Sequence, residues 1–211
     1  MSSVQQKVKR SADFILASLL LFISLILLIP IALLIKLEDG GPILFKQVRV
    51  GKDSKLFVIY KLRSMKPKID RVHSNERGTI YSEWGDKVPD NFQFEESSKE
   101  NPEVTKVGKF IRKTSIDELP QFWNVIIGNM SLIGPRPEVP DIAQYYDSFQ
   151  SGRLRVKPGI TGWAQINGRS DILHGMKVKL DNDYIDSYNL MLDFKILALT
   201  LLSVLGREGA I

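Results

Sequence analysis

Asp117 and Glu118 are adjacent carboxylates at the predicted start of a helix. Ser115 and Glu118 have the Ser-x-x-Glu spacing of a capping box, and a helix dipole favours anions in its first turn. Pro120 removes a backbone donor there, which predicts either a kinked turn or a regular helix that begins near Pro120. Three cations lie just upstream, namely Lys109, Arg112 and Lys113. This combination could hold a metal-bound phosphate, although an ordinary helix start has the same pattern.

Two later stretches carry cations in settings that suit phosphate. Pro135 and Pro137 restrict the backbone on both sides of the Arg136 guanidinium, and a plain turn would also explain them. Residues 153–169 hold four cations, three glycines and a tryptophan. Glycines let a backbone approach a ligand closely, and a flat ring can stack on a base. The spacing matches neither the P-loop nor the dinucleotide-binding motif.

Composition narrows the class of protein. The chain has 211 residues, of which 44% are hydrophobic and 25% charged, so it can bury one sizeable core with an appendage. The absence of cysteine excludes disulfides and thiolate metal sites. A net charge of +5 suits an anionic partner and does not distinguish among phospholipid, nucleotide and nucleic acid.

Residues 14–35 are 22 consecutive positions without a charge, and Leu and Ile predominate among them. A helix of that length can cross a hydrocarbon core of about 30 Å. Cations flank the segment on both sides, and such flanks favour the cytoplasmic face. Pro30 interrupts the apolar run. The residues alone leave two topologies open, a helix that enters one leaflet and returns to the same face, and a tilted single span.

The remaining elements form a mixed pattern. Residues 43–50 and 55–61 predict a β-hairpin, because turn-forming residues separate two short apolar runs. Four helices are predicted over residues 104–113, 119–127, 177–188 and 190–205. The last is short for a membrane span and fits a helix in the membrane interface or in the core. Residues 67–102 are polar, and Trp84, Phe92 and Phe94 predict that they pack on the body as a surface excursion.

Four motifs in order resemble the bacterial sugar transferase family, the small monotopic phosphoglycosyl transferases. They are Lys61-Leu62-Arg63-Ser64-Met65, then Arg112 with the run from Ser115 to Gln121, then the run from Asn129 to Pro137, and finally the run from Pro158 to Arg169. The resemblance covers nearly the whole chain. Each motif alone is weak, whereas several long motifs in the same order are specific.

The resemblance implies transfer of a sugar-1-phosphate from a UDP-sugar to undecaprenyl phosphate with release of UMP, as a first step in assembling a surface polysaccharide or glycoconjugate. It implies that Asp117 is the nucleophile of an aspartyl-phosphosugar intermediate, with Glu118 as its helper. It also implies that both carboxylates bind Mg²⁺. Substrate contacts are implied for five residues, namely Arg63, Arg112, Arg136, Arg169 and Asp181. The expected partners are these substrates and membrane lipid rather than nucleic acid.

The implied fold is α+β. It consists of a membrane-inserted helix within residues 1–39 and a mostly helical cytoplasmic domain over residues 40–211, with a short β-hairpin and a C-terminal interfacial helix. The protein would lie on the cytoplasmic face of the inner membrane. Relatives often carry Ser-Pro midway along the membrane helix, where this chain has Leu25-Ile26, and proline comes later at Pro30. The cations on both flanks still favour the re-entrant topology.

Two other functions compete with covalent transfer. A membrane-anchored scaffold could use the basic surface to hold lipid or a protein, without catalysis. An enzyme could also let the acceptor phosphate attack the donor directly in a ternary complex. The sequence identifies neither the sugar nor the oligomeric state.

Overall fold

The apolar N-terminal segment forms one long helix. A computed structural model of the chain describes residues 3–66, 84–93, 102–168 and 172–206. In this part of the chain, helix α1 (Ser3–Asp39) is the one helix long and apolar enough to cross a membrane, and it continues through Pro30. The buried residues of α1 are Asp13, Ala17, Ser24, Ile31 and Ile35. Because they recur at spacings of four or seven, they share one face, and the other faces expose apolar side chains.

Both ends of α1 contact the same body. Near the N-terminus, Arg10 donates to the backbone oxygens of Val125 (2.5 Å) and Ile126 (2.7 Å). Near the C-terminus, the Glu38 carboxylate accepts from the backbone N–H of Lys106 (2.7 Å). The helix therefore lies along the body instead of extending away from it. The re-entrant topology itself stays a prediction.

The predicted β-hairpin is confirmed. Strands β1 (Leu44–Val50) and β2 (Leu56–Leu62) pair in antiparallel register. Between them, Lys52–Ser54 forms a 3₁₀ turn in which Asp53 and Ser54 adopt the left-handed conformation, with φ of 55° and 60°. Asp is among the residues that tolerate this conformation, which explains why a short connection closes here.

A second, parallel strand pair was not predicted. Strands β3 (Ser131–Ile133) and β4 (Gly159–Thr161) pair in parallel, with Ile133 opposite Thr161. The backbone of Gly159, at the start of β4, lies close to that of Gly134, just after β3. A Cβ on Gly159 would lie 2.1 Å from the backbone nitrogen of Gly134. This pair sets the Pro135–Pro137 loop beside the glycine-rich stretch, so two predicted phosphate-binding segments become neighbours.

Of the six other helices described, four lie where periodicity predicts them, and the two four-residue helices at Pro140–Ala143 and Trp163–Ile166 were not predicted. The six are α2 (Lys106–Lys113), α3 (Gln121–Ile126), α4 (Pro140–Ala143), α5 (Trp163–Ile166), α6 (His174–Asp186) and α7 (Leu190–Leu205). A main core joins α1, α3, the strands and the last two helices through Ala17, Val125, Ile133, Tyr184 and Ile196. A second core joins α1 to β2 and α2 through Ile31, Ile35, Leu62 and Ile111.

Helix α7 packs by one face and exposes an apolar one. Asp193 on the packed face pairs with Lys9 of α1 (2.7 Å) and accepts from the Tyr184 hydroxyl (2.7 Å). Met191 and Phe194 are exposed on α7. An interfacial position in the membrane is consistent with this division and stays a prediction.

The predicted surface excursion is described only in part. The Trp84 ring packs edge-on against Phe92 (4.7 Å between centroids) and Tyr145 (5.7 Å), so the expectation that Trp84 and Phe92 pack on the body is confirmed. Phe94 and residues 67–83 lie outside the described residues.

Candidate active site

The two carboxylates lie on a tight turn instead of a capped helix. Ile116–Glu118 is a 3₁₀ turn, and Ser115 before it adopts the left-handed conformation with φ of 56° and makes no capping hydrogen bond. The predicted capping box is therefore wrong. Helix α3 begins at Gln121, directly after Pro120, so the alternative of a regular helix that starts near the proline is confirmed. The proline contributes its fixed φ at a helix start, where a missing N–H costs little.

Glu118 is held by two cations. Its Oε1 accepts from Lys61 Nζ at 2.7 Å and from Arg136 Nη2 at 3.4 Å. Burial alone would raise the pKa of Glu118, but the charges of Lys61 and Arg136 outweigh it and lower the pKa to about 2. Glu118 is consequently ionised at any physiological pH, and its position is set by two salt bridges.

Asp117 has the opposite shift. Burial, reinforced by the negative charge of Glu118, raises the pKa of Asp117 to about 6, although Lys61 and Arg112 oppose the rise. The carboxylate is still mainly ionised at pH 7, and it is more basic than an ordinary aspartate. Two neighbouring carboxylates whose pKa values are driven apart are typical of sites that assign them different roles.

A shallow cleft opens beside Glu118. Its lining comprises Arg49, Ile59, Lys61, Glu118, Gln121, Arg136, Pro137 and Gly159. The hairpin, the 3₁₀ turn, the Pro-Arg-Pro loop and β4 all meet here. The cleft therefore combines a carboxylate with three cations, which is the charge pattern expected for a phosphate group.

Arg49 and Lys61 are site residues that sequence reasoning missed. They share one face of the hairpin with Phe57 and Ile59, because Arg49 lies opposite Phe57 in the register. Phe57 and Ile59 pack into the main core. The alternation of side chains along a strand could have identified them. It places both cations on the core-facing side of the hairpin, where isolated charges are rarely found without a function.

Arg63, a predicted substrate contact, is placed at the end of α1. It is buried, pairs with Asp39 and donates to the backbone oxygen of Ile35 (3.4 Å). Lys61 of the same motif reaches Glu118 instead. These contacts give Arg63 a structural role in joining β2 to α1, and its predicted contact with substrate stays a prediction.

Asp181 is almost completely buried and pairs with Arg153 (2.7 Å). Burial raises its pKa to about 6 in spite of that partner. Arg153 in turn donates to the backbone oxygen of Arg136 (3.1 Å) and contacts Glu138 (3.3 Å). Asp181 thus supports the Pro-Arg-Pro loop through Arg153, a residue that was not predicted to have a role, and its own predicted substrate contact stays a prediction.

The other predicted residues divide as follows. Arg112 is close enough to Asp117 to lower its pKa, so the structure brings it to the site. Arg169 lies outside the described residues. Trp163 packs against the main core, and the Lys195 ammonium lies over its ring at 5.2 Å, so that ring is already covered on one side.

Asp117 and Glu118 are the carboxylates that could hold a divalent cation. Among the described residues, no group of three or more His, Cys, Asp or Glu side chains is arranged to bind a metal. Mg²⁺ commonly binds one or two carboxylates together with substrate phosphates and water. Glu118, which lines a cleft with three cations, and its neighbour Asp117 fit that mode of binding.

Comparisons with known proteins identify a family for this chain. The family model described as bacterial sugar transferase matches residues 4–207. The uncharacterized sugar transferase EpsL of Bacillus subtilis (strain 168) is 41% identical over 95% of this chain and 89% of its own length. The UDP-glucose:undecaprenyl-phosphate glucose-1-phosphate transferase of Escherichia coli (strain K12) is 41% identical over 100% of this chain.

A third relative carries a different sugar in its name. The UDP-N-acetylgalactosamine-undecaprenyl-phosphate N-acetylgalactosaminephosphotransferase of Aeromonas hydrophila is 38% identical over 99% of this chain. The matched region spans 43% of the Escherichia coli relative and 46% of the Aeromonas one, so this chain corresponds to less than half of each.

Proposed function

The chain belongs to the bacterial sugar transferase family, and we propose that it transfers a sugar-1-phosphate from a UDP-sugar to undecaprenyl phosphate with release of UMP. The names of the relatives support the substrate classes, because they pair UDP-sugars with undecaprenyl phosphate. The observation that carries the proposal is the pair Asp117 and Glu118, with Glu118 held by Lys61 and Arg136 at the edge of a cationic cleft. The reaction would begin the assembly of a surface polysaccharide or glycoconjugate.

The first step would be attack by an Asp117 carboxylate oxygen on the β-phosphorus of the UDP-sugar. A P–O bond to Asp117 forms while the bond from that phosphorus to the bridging oxygen breaks, and the electron pair leaves with UMP. The raised pKa of Asp117 supports this role, because a carboxylate with a pKa of about 6 is ionised at pH 7 and more nucleophilic than an ordinary one. No separate general base is needed.

The second step would transfer the sugar phosphate to lipid. A phosphate oxygen of undecaprenyl phosphate attacks the same phosphorus, and the Asp117 carboxylate leaves. The product is a sugar linked to the lipid through a diphosphate, and Asp117 returns to its starting form. Arg136 and Lys61 border the cleft and would stabilise negative charge on the phosphoryl group in both steps.

Asp117 and Glu118 would also hold Mg²⁺, which supplies charge neutralisation between an anionic nucleophile and an anionic diphosphate. Glu118 suits this task because it is fully ionised, and Asp117 adds the second carboxylate. Lys61 and Arg136 keep one Glu118 oxygen in place and leave its other oxygen without a bond to either cation.

The proposed location is the cytoplasmic face of the inner membrane, with α1 as a re-entrant helix. The apolar faces of α1 and α7 favour insertion in lipid. The contacts of Arg10 at one end of α1 and of Glu38 at the other support re-entry, because both ends are held by one folded body. A helix that crossed the bilayer would separate these two ends.

A direct assay tests the activity. Purified protein in lipid nanodiscs is incubated with Mg²⁺, undecaprenyl phosphate and a panel of UDP-sugars, and UMP and lipid-linked sugar are measured. We expect equal amounts of both products with at least one donor and loss of activity on chelation of Mg²⁺. We also expect no product from Asp117→Asn. Failure to form either product with every donor would contradict the proposed reaction and favour a non-catalytic scaffold.

A further inference from the structure

Arg49 is a cation of the cleft without an acidic partner. Lys61 and Arg136 both pair with Glu118, whereas no carboxylate lies within salt-bridge distance of Arg49 in the part of the chain that the structure describes. The guanidinium is half-buried, and burial lowers the pKa of Arg49, which the more distant carboxylates of Glu138 and Glu118 oppose without forming a salt bridge to it. A guanidinium with no direct salt bridge can still pair with a bound anion.

The guanidinium is held in one orientation by neutral acceptors. Its Nε (3.1 Å) and Nη2 (2.7 Å) both donate to Gln47 Oε1, and its Nη1 donates to the backbone oxygen of Pro137 (3.2 Å). An arginine side chain carries about five N–H donors, so these contacts leave one on each terminal nitrogen. Two free donors on adjacent nitrogens match the spacing of two phosphate oxygens.

The charge of the cleft also lacks an anion. Arg49, Lys61 and Arg136 oppose the single lining carboxylate Glu118, which leaves a net positive charge among the lining residues. The diphosphate of a sugar nucleotide has an ionised group on each phosphorus and would balance that excess. Arg49 approaches from the hairpin, on a different element from the Asp117 turn and the Pro-Arg-Pro loop.

We propose that Arg49 binds the diphosphate of the nucleotide-sugar donor through its two free guanidinium donors, and that Gln47 is the positioning residue that orients it. This inference rests on the proposed function, because it assumes a uridine diphosphate donor. Gln47 touches no substrate in this account. It acts by fixing the guanidinium plane, through one oxygen that accepts from two of its nitrogens.

The test measures equilibrium binding of UDP, which needs neither the right sugar nor turnover. Full-length protein in nanodiscs is titrated with UDP and with uridine in the presence of Mg²⁺. We expect Arg49→Met to weaken UDP binding about tenfold to a hundredfold and to leave uridine binding unchanged, since charge-assisted hydrogen bonds to phosphate are lost. Arg49→Lys keeps the charge but loses the planar guanidinium fork, which can donate two parallel hydrogen bonds. This variant should bind UDP with intermediate affinity.

Lys46→Met is the matched control. Lys46 lies on the same strand, is exposed and does not line the cleft, so it removes an equal charge from the same hairpin. We expect it to bind UDP as the wild type does. Gln47→Met should weaken UDP binding in the wild type but have no further effect in Arg49→Met, which a merely structural role for Gln47 would not produce.

The outcomes separate this inference from the proposed function. Wild-type protein that fails to bind UDP contradicts the uridine nucleotide donor itself. If the wild type binds UDP and Arg49→Met binds it equally well, Arg49 has no role in donor binding. If Arg49→Met does not fold, Arg49→Lys decides, because an affinity equal to that of the wild type would contradict recognition by the fork. If Lys46→Met weakened UDP binding as much as Arg49→Met does, the effect would come from general surface charge and not from Arg49 itself.

Discussion

Lys61 acts on both carboxylates of the pair. It lies 2.7 Å from Glu118 and lowers the pKa of both Glu118 and Asp117. Burial works against ionisation at both positions, and the charge of Lys61 opposes it together with Arg136 at Glu118 and Arg112 at Asp117. Lys61 and Arg63 belong to the same motif, but Lys61 pairs with Glu118 whereas Arg63 pairs with Asp39.

We expect Lys61→Met to lower the rate of transfer by about 10²-fold, because a cation that stabilises the phosphoryl group is lost and Glu118 loses its nearest partner. Arg63→Met serves as a comparison in the same motif. It should lower the thermal unfolding temperature, since Asp39 is left unpaired, and it should affect the rate per folded molecule far less. The opposite ranking of the two variants in rate would show that the structural placement of these cations does not predict their roles.

His174 predicts a dependence of stability on pH. It is 4% exposed, and burial, together with the charge of Arg153, lowers its pKa to about 4. His174 takes up a proton near pH 6.5 in the unfolded chain and only near pH 4 in the folded chain. The stabilisation that comes from burying neutral His174 is therefore fully present above pH 6.5. That contribution is lost as the pH falls towards 4 and amounts to about 3 kcal/mol.

The measurement is the free energy of unfolding between pH 7 and pH 4 for the wild type and His174→Phe, whose ring can replace the imidazole against Phe92 and Tyr146. Asp181 titrates over an overlapping range, so the difference between the two proteins isolates His174. We expect the wild type to lose more stability than the variant on acidification. Parallel curves would show that His174 is not held neutral.

At the scale of elements, α1 supports the turn that carries Asp117 and Glu118. Ile31 and Ile35 of α1 form the second core with Leu62 and Ile111, and Ile116 packs against it. Ile116 immediately precedes Asp117. The position of Asp117, the proposed nucleophile, is therefore coupled to the packing of α1.

Ile35→Ala should lower stability by about 2–5 kcal/mol, because it opens a cavity in this core. It should also reduce the rate per folded molecule, since Ile116 loses part of its support. Leu34→Ala is the control on the same helix, because Leu34 is exposed. Thermal unfolding and transfer rate are measured for both in nanodiscs. Equal effects of the two substitutions would contradict the coupling and point to a general loss of lipid contact.

The sequence was sufficient for most elements and insufficient for three features near the site. Apolar periodicity and turn residues predicted the hairpin and the longer helices, because those depend on local preferences. Strands β3 and β4 are three residues each and pair across a long separation, so neither has an alternation to detect. Ser115 matched a capping box, yet it adopts the left-handed conformation and makes no capping hydrogen bond. Arg49 required the strand register before it could be placed in the cleft.

For the whole molecule, the central feature is a helix whose two ends contact one body. Lys9 and Arg10 bind the body near the N-terminus, and Glu38 and Asp39 bind it near the C-terminus. The intervening residues expose apolar side chains on every face except one. In the proposed re-entrant topology, the protein would insert into one leaflet, and the lipid acceptor would meet a nucleotide sugar from the aqueous side.

Cysteine labelling tests this topology, because the chain has no cysteine of its own. Ser3→Cys and Ser54→Cys are introduced separately at exposed positions, before the apolar part of α1 and in the hairpin turn. A membrane-impermeant reagent should label both from the cytoplasmic side in inverted vesicles and neither in intact cells. Labelling of the two positions from opposite sides would establish a single span.

The most direct test of the account is a single-turnover experiment without the lipid acceptor. Protein is mixed with Mg²⁺ and a UDP-sugar that supports transfer, and released UMP and the mass of the Asp117 peptide are followed. We expect a burst of UMP close to one equivalent per protein, a phosphosugar adduct on Asp117 that undecaprenyl phosphate discharges, and neither with Asp117→Asn. If the same donor gives no burst and no adduct until the acceptor is added, transfer is direct and Asp117 is not the nucleophile.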